Sequence, residues 1–133
     1  MSRKLKGKIK LCSSLLLISV EDGLSRPGCP ICRLVREVEE RTIKDILYEG
    51  VNDLDLRSEF RKSLGLCPYH AWLFAEVATK PEVLDGLGAT VIYEDMLSQY
   101  VEALSRGETA SEGECFLCRF AREFEEIYIS NFV

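Results

Sequence analysis

Apolar residues recur every three or four positions along most of this chain, which is the spacing of amphipathic α-helices. Over residues 30–48, for example, apolar side chains follow this spacing while arginines, glutamates and a lysine occupy the other face. No sustained alternation and no hairpin dipeptide argues for a sheet. The pattern therefore predicts an all-α fold, a small irregular helical bundle.

The ends of the helices follow from the residues that interrupt this pattern. Pro27-Gly28, Gly50 and Gly65 each follow an apolar periodic stretch and are expected to end a helix. The predicted helices cover residues 13–24, 30–48, 54–64, 68–77, a short piece at 81–86, 89–104 and 116–128.

Length and composition suit one folded domain. The chain has 133 residues and a hydrophobic fraction of 47%, enough for a modest core. We predict a basic, flexible N-terminal arm over residues 1–12 and a single helical metal-binding domain over residues 13–133. A flexible connector is expected at about residues 106–113. No apolar stretch is long enough to cross a bilayer.

The net charge of −5 is unevenly distributed. The first ten residues carry five basic side chains and no acidic one, so the remainder holds 12 Lys and Arg against 22 Asp and Glu. An acidic body disfavours nucleic-acid binding, because phosphate backbones attract basic surfaces. The partner classes that stay open are another protein, or a second copy of the chain in a homodimer.

Six cysteines in a chain of this length indicate either disulfides or a metal site. Three disulfides would require an oxidising compartment. The apolar run at residues 11–20 contains three serines and is followed by no small-x-small cleavage site, so it matches a signal peptide poorly. The sequence therefore predicts a cytoplasmic protein, in which paired cysteines indicate metal or redox sites.

Two four-residue motifs hold metal-type ligands at positions i and i+3. Their three thiols, together with the one histidine of the chain, match the ligand set of a tetrahedral zinc site. We predict that these four side chains bind one zinc ion. The motifs are Cys29-Pro30-Ile31-Cys32 and Cys67-Pro68-Tyr69-His70.

The proline in each motif gives a physical reason for this prediction. Proline is favoured at the first helical position, where its missing N–H has no partner to lose. The first ligand then lies at the helix N-cap and the second in the first turn, where free backbone N–H groups attract the charge of a thiolate. Two such helix starts that face each other would form a closed site, and zinc would supply much of the folding free energy.

Other chemistry stays open for these residues. An iron–sulfur cluster would use cysteines from two or three of the pairs. Cys29 and Cys32 also resemble the pair of a thiol oxidoreductase, although the βαβ pattern of those enzymes is missing. His70 is an alternative general base, and cysteines simply packed in the core are the plainest alternative. No catalytic set is evident, which disfavours an enzyme.

A third pair, Cys115 and Cys118, belongs to a partial repeat. A cysteine pair, an arginine, an apolar residue and a later acidic cluster recur in the same order at residues 29–40 and 115–126, which indicates duplication of one helical unit. The acidic clusters are interpreted as solvated helix faces. The third pair could complete a metal site across a dimer, join the first cluster, form a surface dithiol, or be an unused copy.

With these motifs, the chain resembles an uncharacterised family of bacterial and archaeal proteins of unknown function. The resemblance spans residues 13–133 and is carried by residues 28–34, 65–72, 88–95 and 115–118. It implies a helical, cysteine-rich protein without an established activity. Longer members continue to a further Cys-x-x-His, which implies that Cys115 and Cys118 lack part of their ligand set within one subunit of this chain.

The function that these features favour is a zinc-stabilised helical module that binds another protein or itself and has no catalytic activity. The first alternative is a thiol-based redox or metal sensor that uses Cys115 and Cys118. The second alternative is an iron–sulfur protein.

Overall fold

Six α-helices make up the computed structural model, which describes residues 13–83, 86–108 and 113–132. The described residues contain no β-strand, so the predicted all-α fold is confirmed. A π-helical turn at Ile46–Gly50 follows the second helix. The helices are α1 (Ser13–Leu24), α2 (Pro30–Asp45), α3 (Leu54–Lys62), α4 (Pro68–Ala78), α5 (Gly86–Ser105) and α6 (Phe116–Phe132).

Local sequence determines where α2, α3 and α4 begin. Cys29 and Cys67 are the N-caps of α2 and α4, and each is followed by proline at the start of its helix. The sulfur of each cysteine accepts a hydrogen bond from the backbone N–H three residues later. The carboxylate of Asp53 caps α3 in the same way. The predicted cysteine motifs at helix N-termini are therefore present.

A tight turn after α3 returns the chain toward the next motif. Leu64 has a φ of 51° and Gly65 a φ of 107°. The backbone N–H of Gly65 donates to the carbonyl of Phe60 over 2.8 Å, which closes the end of α3. Cys67 follows two residues beyond Gly65 and packs against the main apolar core.

The main apolar core lies among α2, α3, α4, α5 and the first turn of α6. A smaller cluster of Leu34 with Phe120, Phe124 and Tyr128 lies between α2 and α6. Because α6 contributes to both clusters, its first turn is held firmly against the rest of the protein. The fully buried members of the main core include Ile43, Leu47, Phe60, Leu73, Phe74, Val77 and Leu117.

Helices α2 and α6 run in opposite directions. Glu39 of α2 and Cys118 of α6 both lie within hydrogen-bond distance of the His70 ring. Cys32, at the start of α2, lies close enough to Glu125 of α6 for the charge of Glu125 to raise the pKa of Cys32. The start of each helix therefore lies beside the middle of the other.

Parts of the predicted organisation fall outside the described residues. These parts are the basic arm at residues 1–12 and the middle of the connector at residues 109–112. The division into an arm and one domain therefore stays a prediction. The short helix predicted at residues 81–86 is a turn over residues 81–83, where the N–H of Val83 donates to the carbonyl of Lys80.

Candidate metal site

Four soft ligand atoms from two helix starts lie within 4.8 Å of one another. Cys67 and His70 come from the start of α4, and Cys115 and Cys118 come from the start of α6. His70 and Cys115 are buried, and the other two cysteines are partly exposed. This Cys3His cluster could bind a metal ion.

The distances within the cluster suit one tetrahedral ion. Nδ1 of His70 lies 3.2 Å from the sulfur of Cys67, 3.3 Å from that of Cys118 and 3.7 Å from that of Cys115. The sulfurs of Cys67 and Cys118 are 3.6 Å apart. Zn–S bonds of about 2.3 Å and Zn–N bonds of about 2.0 Å place tetrahedral ligand atoms about 3.5–3.8 Å apart. The observed separations are close to these values and far longer than the roughly 2.0 Å of a disulfide bond.

Backbone N–H groups at both helix starts favour thiolate sulfur. Burial by itself raises the pKa of Cys115, but hydrogen bonds from His70 and from the backbone N–H groups of Cys67, Cys118 and Leu117 outweigh it. The pKa of Cys115 is lowered to about 6. This thiol is therefore ionised near neutral pH even without a metal.

His70 and Cys118 keep their protons when no metal is bound. Burial by itself lowers the pKa of His70, but hydrogen bonds to Cys115, Glu39 and Cys67 outweigh it and raise the pKa to about 10. Burial and a hydrogen bond to Cys67 raise the pKa of Cys118 to about 12. A metal ion that binds here must displace the protons of His70 and Cys118.

The second ring nitrogen of His70 faces a buried carboxylate. Nε2 donates to Oε1 of Glu39 over 3.0 Å, and Glu39 is only 5% exposed. The hydroxyl of Tyr69 donates to Oε2 of the same carboxylate, and Arg36 donates to that hydroxyl. Carboxylate–histidine pairs of this kind orient metal ligands and raise their basicity. The chain Arg36–Tyr69–Glu39 therefore holds Nδ1 toward the three sulfurs.

The position of Glu39 differs from the interpretation of its acidic cluster as a solvated face. Glu39 lies four residues after Val35 and four before Ile43, so it shares the buried face of α2. The burial of Glu39 could have been predicted from the 3.6-residue period of the helix, because that period aligns Glu39 with apolar positions. The neighbouring Glu40 follows the original interpretation more closely, since its partly exposed carboxylate pairs with Lys80 and Arg36.

Replacing Glu39 by glutamine is expected to weaken zinc binding by about 10–100-fold, because outer-shell partners of metal-bound histidine have effects of this size. Glutamine keeps the shape of the side chain and removes its charge. Glu37→Gln, at an exposed position of the same helix, is the matched control and should leave the affinity unchanged. Competition with a chromophoric zinc chelator measures both variants. Equal affinities for E39Q and E37Q would show that the Glu39 carboxylate does not support the site.

Cys29 and Cys32 lie apart from this cluster and are exposed. The motifs predict that they join Cys67 and His70, whereas the structure brings Cys115 and Cys118 to that place. The reason is the opposite direction of α2 and α6, which puts the start of α6, rather than the start of α2, beside α4.

The residues between the cysteines carried a signal for this arrangement. Phe116 and Leu117 separate the cysteines of the third pair and are buried in the main core. Pro30 and Ile31 separate the first pair and stay outside that core. The third pair is therefore the one that is buried, because the residues between its cysteines are more apolar.

The exposed pair at the start of α2 is itself hydrogen-bonded. The side-chain and backbone hydrogen bonds of Cys32 lower the pKa of Cys29. The hydrogen bond to Cys29, the charge of Cys29 and the more distant charge of Glu125 raise the pKa of Cys32. The pair therefore loses its first proton at a lower pH, and its second proton at a higher pH, than separate thiols would.

An ion-pair network holds the start of α6 against α3. Glu59 accepts hydrogen bonds from Lys62 and Arg119, which lower its pKa to about 2. Arg119 directly follows Cys118 in the chain, and the guanidinium of Arg119 also lies over the ring of Phe116. This network anchors the turn that carries two of the four ligands.

Together these observations define an all-α protein whose Cys3His cluster, formed by the first turns of two helices, can bind a metal ion. The chain is 33% identical over 117 residues to the "Uncharacterized 23.9 kDa protein in xynA 3'region" of Caldicellulosiruptor sp. (strain Rt8B.4). The match covers 84% of this chain and 54% of the relative, so the chain spans about half the length of that protein. The resemblance to uncharacterised proteins is thereby confirmed.

No protein-family model matches the chain, and no solved structure gives a significant match. None of the helices in the described part of the chain is long and apolar enough to cross a membrane.

Proposed function

We propose that this chain is a zinc-stabilised helical module that binds another protein and has no catalytic activity of its own. The proposal rests on the closed ligand set, in which three sulfurs and one imidazole nitrogen lie within 4.8 Å of one another. Structural zinc sites use four protein ligands, whereas catalytic sites leave one position for water or substrate. Thiolate-rich, tetrahedral sets favour zinc or iron–sulfur clusters over harder cations.

Zinc at this site would stabilise the fold as a whole. It would join α4 to α6 through Cys67 and Cys118, which are 51 positions apart in the chain. Structural zinc contributes about 10–16 kcal/mol of apparent binding free energy. The stability of a typical domain is only about 5–15 kcal/mol. Folding is therefore expected to depend on the ion, and a reducing compartment such as the cytoplasm would keep its thiolates available.

Exposed apolar side chains on α5 support the protein-binding part of the proposal. Leu97, Val101 and Leu104 follow one another at positions i, i+4 and i+7 of the helix, and the first two are 61% and 63% exposed. Contiguous apolar surface of this kind is typical of protein interaction sites. The occupant is either a different protein or a second copy of the chain, and the acidic balance argues against nucleic acid.

A thiol-based redox sensor is the second candidate, supported by the 3.6 Å separation of the Cys67 and Cys118 sulfurs. Hydrogen peroxide could take one electron from each thiolate, which would form one disulfide bond, reduce the peroxide to two waters with two added protons, and release the metal. This route makes Cys118 pair with Cys67 rather than with Cys115. An iron–sulfur cluster on the same cysteines is the third candidate.

Metal analysis of untagged protein purified without chelator tests these proposals. We expect one zinc per chain and a colourless anaerobic preparation. A brown preparation with iron and sulfide would support the cluster instead. Less than about half an equivalent of any metal would contradict the structural role. Solution mass of wild type and of Leu97→Asp shows whether the apolar face of α5 joins two copies.

Thiol mapping separates the structural site from the redox sensor. With zinc bound, a maleimide should label Cys29 and Cys32 and spare Cys67, Cys115 and Cys118, because metal-bound thiolates are shielded. Mild peroxide should leave the three ligands unchanged if the role is structural. Stoichiometric zinc release with a Cys67–Cys118 disulfide would favour the sensor.

A further inference from the structure

The two copies of the internal repeat are used unequally. Residues 29–40 and 115–126 are identical at seven of 12 aligned positions, and each copy has a glutamate seven residues after its second cysteine. In the second copy the cysteine pair belongs to the Cys3His cluster. In the first copy the cysteine pair is exposed.

The packing of the two copies is reciprocal. Glu39 of the first copy holds His70, which lies among the cysteines of the second copy. Glu125 is the counterpart of Glu39 in the second copy, and it lies near Cys32 of the first copy. The glutamate of each copy therefore lies toward the end of the α2–α6 pair where the other copy has its cysteines.

Corresponding residues of the two copies differ in burial. Ile43 of α2 is 0% exposed, because it packs in the core with Phe74 of α4. Its counterpart in the repeat is Ile129 of α6, which is 45% exposed. Glu39 is buried and its counterpart Glu125 is exposed. The face of α6 that corresponds to the α4-covered face of α2 is therefore open to solvent.

We propose that Cys29 and Cys32 are half of a second site for a soft divalent cation such as zinc. A helix whose first turn is Cys-x-x-His completes this site and lies on the open face of α6. Its histidine donates to Glu125 as His70 donates to Glu39. The one histidine of the sequence is already in the first cluster, so we assign the completing helix to a partner protein. The proposed interaction module thus acquires a partner of stated chemistry.

This proposal rests on the first metal site, because Cys67 and His70 provide the template for the missing half. The two can fail separately. Zinc content of the purified protein reports on the first site before any titration begins. Only protein with one tightly held zinc per chain enters the next experiment, so a negative result there concerns the second site alone.

The test uses Co²⁺ and a synthetic peptide with the sequence of residues 65–80 of this chain, which contains the Cys67–His70 motif. Titration of the zinc-loaded protein is followed by sulfur-to-cobalt charge-transfer absorption. We expect one added Co²⁺ per chain, bound at least about tenfold more tightly when one equivalent of peptide is present. A peptide with the histidine replaced by alanine should not produce this gain.

Two variants identify the residues responsible. Cys29→Ser/Cys32→Ser should abolish the added cobalt and keep the zinc of the first site. Glu125→Gln should reduce the gain in Co²⁺ affinity that the peptide produces. It should not change the weak binding of Co²⁺ in the absence of peptide. Cobalt binding that survives the double substitution, or that ignores the peptide, would overturn the proposal. One cobalt per two chains in a dimer would also overturn it, by assigning the missing half to a second copy.

Discussion

Replacing Cys115 and Cys118 together by serine is expected to remove zinc from the chain and abolish cooperative thermal unfolding. The expected loss of about 10 kcal/mol or more exceeds or equals the stability of most domains of this size. Serine is close in volume to cysteine but supplies no thiolate to bind zinc, so loss of the ion accounts for most of the effect. Metal analysis and thermal unfolding followed by circular dichroism are the measurements.

The matched control is Cys29→Ser/Cys32→Ser, which removes the same number of thiols from the same repeat. It should retain one zinc and unfold at nearly the wild-type temperature, because those side chains are exposed and outside the cluster. The opposite result, with zinc lost from the control and kept by the Cys115/Cys118 variant, would contradict this site. It would support instead the site that motif order predicts, formed by Cys29, Cys32, Cys67 and His70. The two variants therefore decide which cysteine pair shares an ion with His70.

Zinc affinity is expected to fall by at least about 100-fold for each pH unit of acidification between pH 10 and pH 6. In this range the metal-free cluster holds protons on His70, with a pKa of about 10, and on Cys118, with a pKa of about 12. Zinc must expel both, so each unit of pH changes the affinity by a factor of ten for each proton. Below about pH 6 the thiolate of Cys115 is protonated as well and adds a third proton.

Competition with a chelator of known affinity at pH 6.5, 7.0, 7.5 and 8.0 measures this slope. A slope of one proton or less would show that His70 and Cys118 do not both hold a proton in the metal-free cluster. The direction has a consequence for stability. The lowered pKa of Cys115 means that its thiolate stabilises the fold above the ordinary thiol pKa of 9.0, and this contribution is lost as the pH falls through about 6. Acidification thus removes both the ion and the thiolate.

Helix starts and ligand types could be read from short stretches of sequence. A proline directly after Cys29 and Cys67 specifies a helix start, since the ring fixes φ and the missing N–H has no partner at that position. The spacing of three then places the second ligand in the first turn, whatever the rest of the chain does. Cys67 and His70 were therefore recognisable as neighbours from their motif alone.

Short stretches of sequence do not show which two motifs share one metal site. The order of the motifs along the chain favoured pairing the first with the second, and both contain proline. Long-range packing decided otherwise, because Phe116 and Leu117 bury themselves in the core and carry Cys115 and Cys118 to α4. The burial of Glu39 depends on the same packing, although its helical period with Ile43 was a usable signal.

The sequence by itself determined the all-helical class, the helix starts at the cysteine motifs and the presence of a soft-metal ligand set. These properties depend on backbone conformation and side-chain chemistry within a few residues. Only the tertiary structure decided which two motifs meet, which glutamate supports His70 and which cysteine pair stays exposed. Those outcomes depend on how two similar helices pack in opposite directions, and that packing is set by the whole buried surface rather than by any one motif.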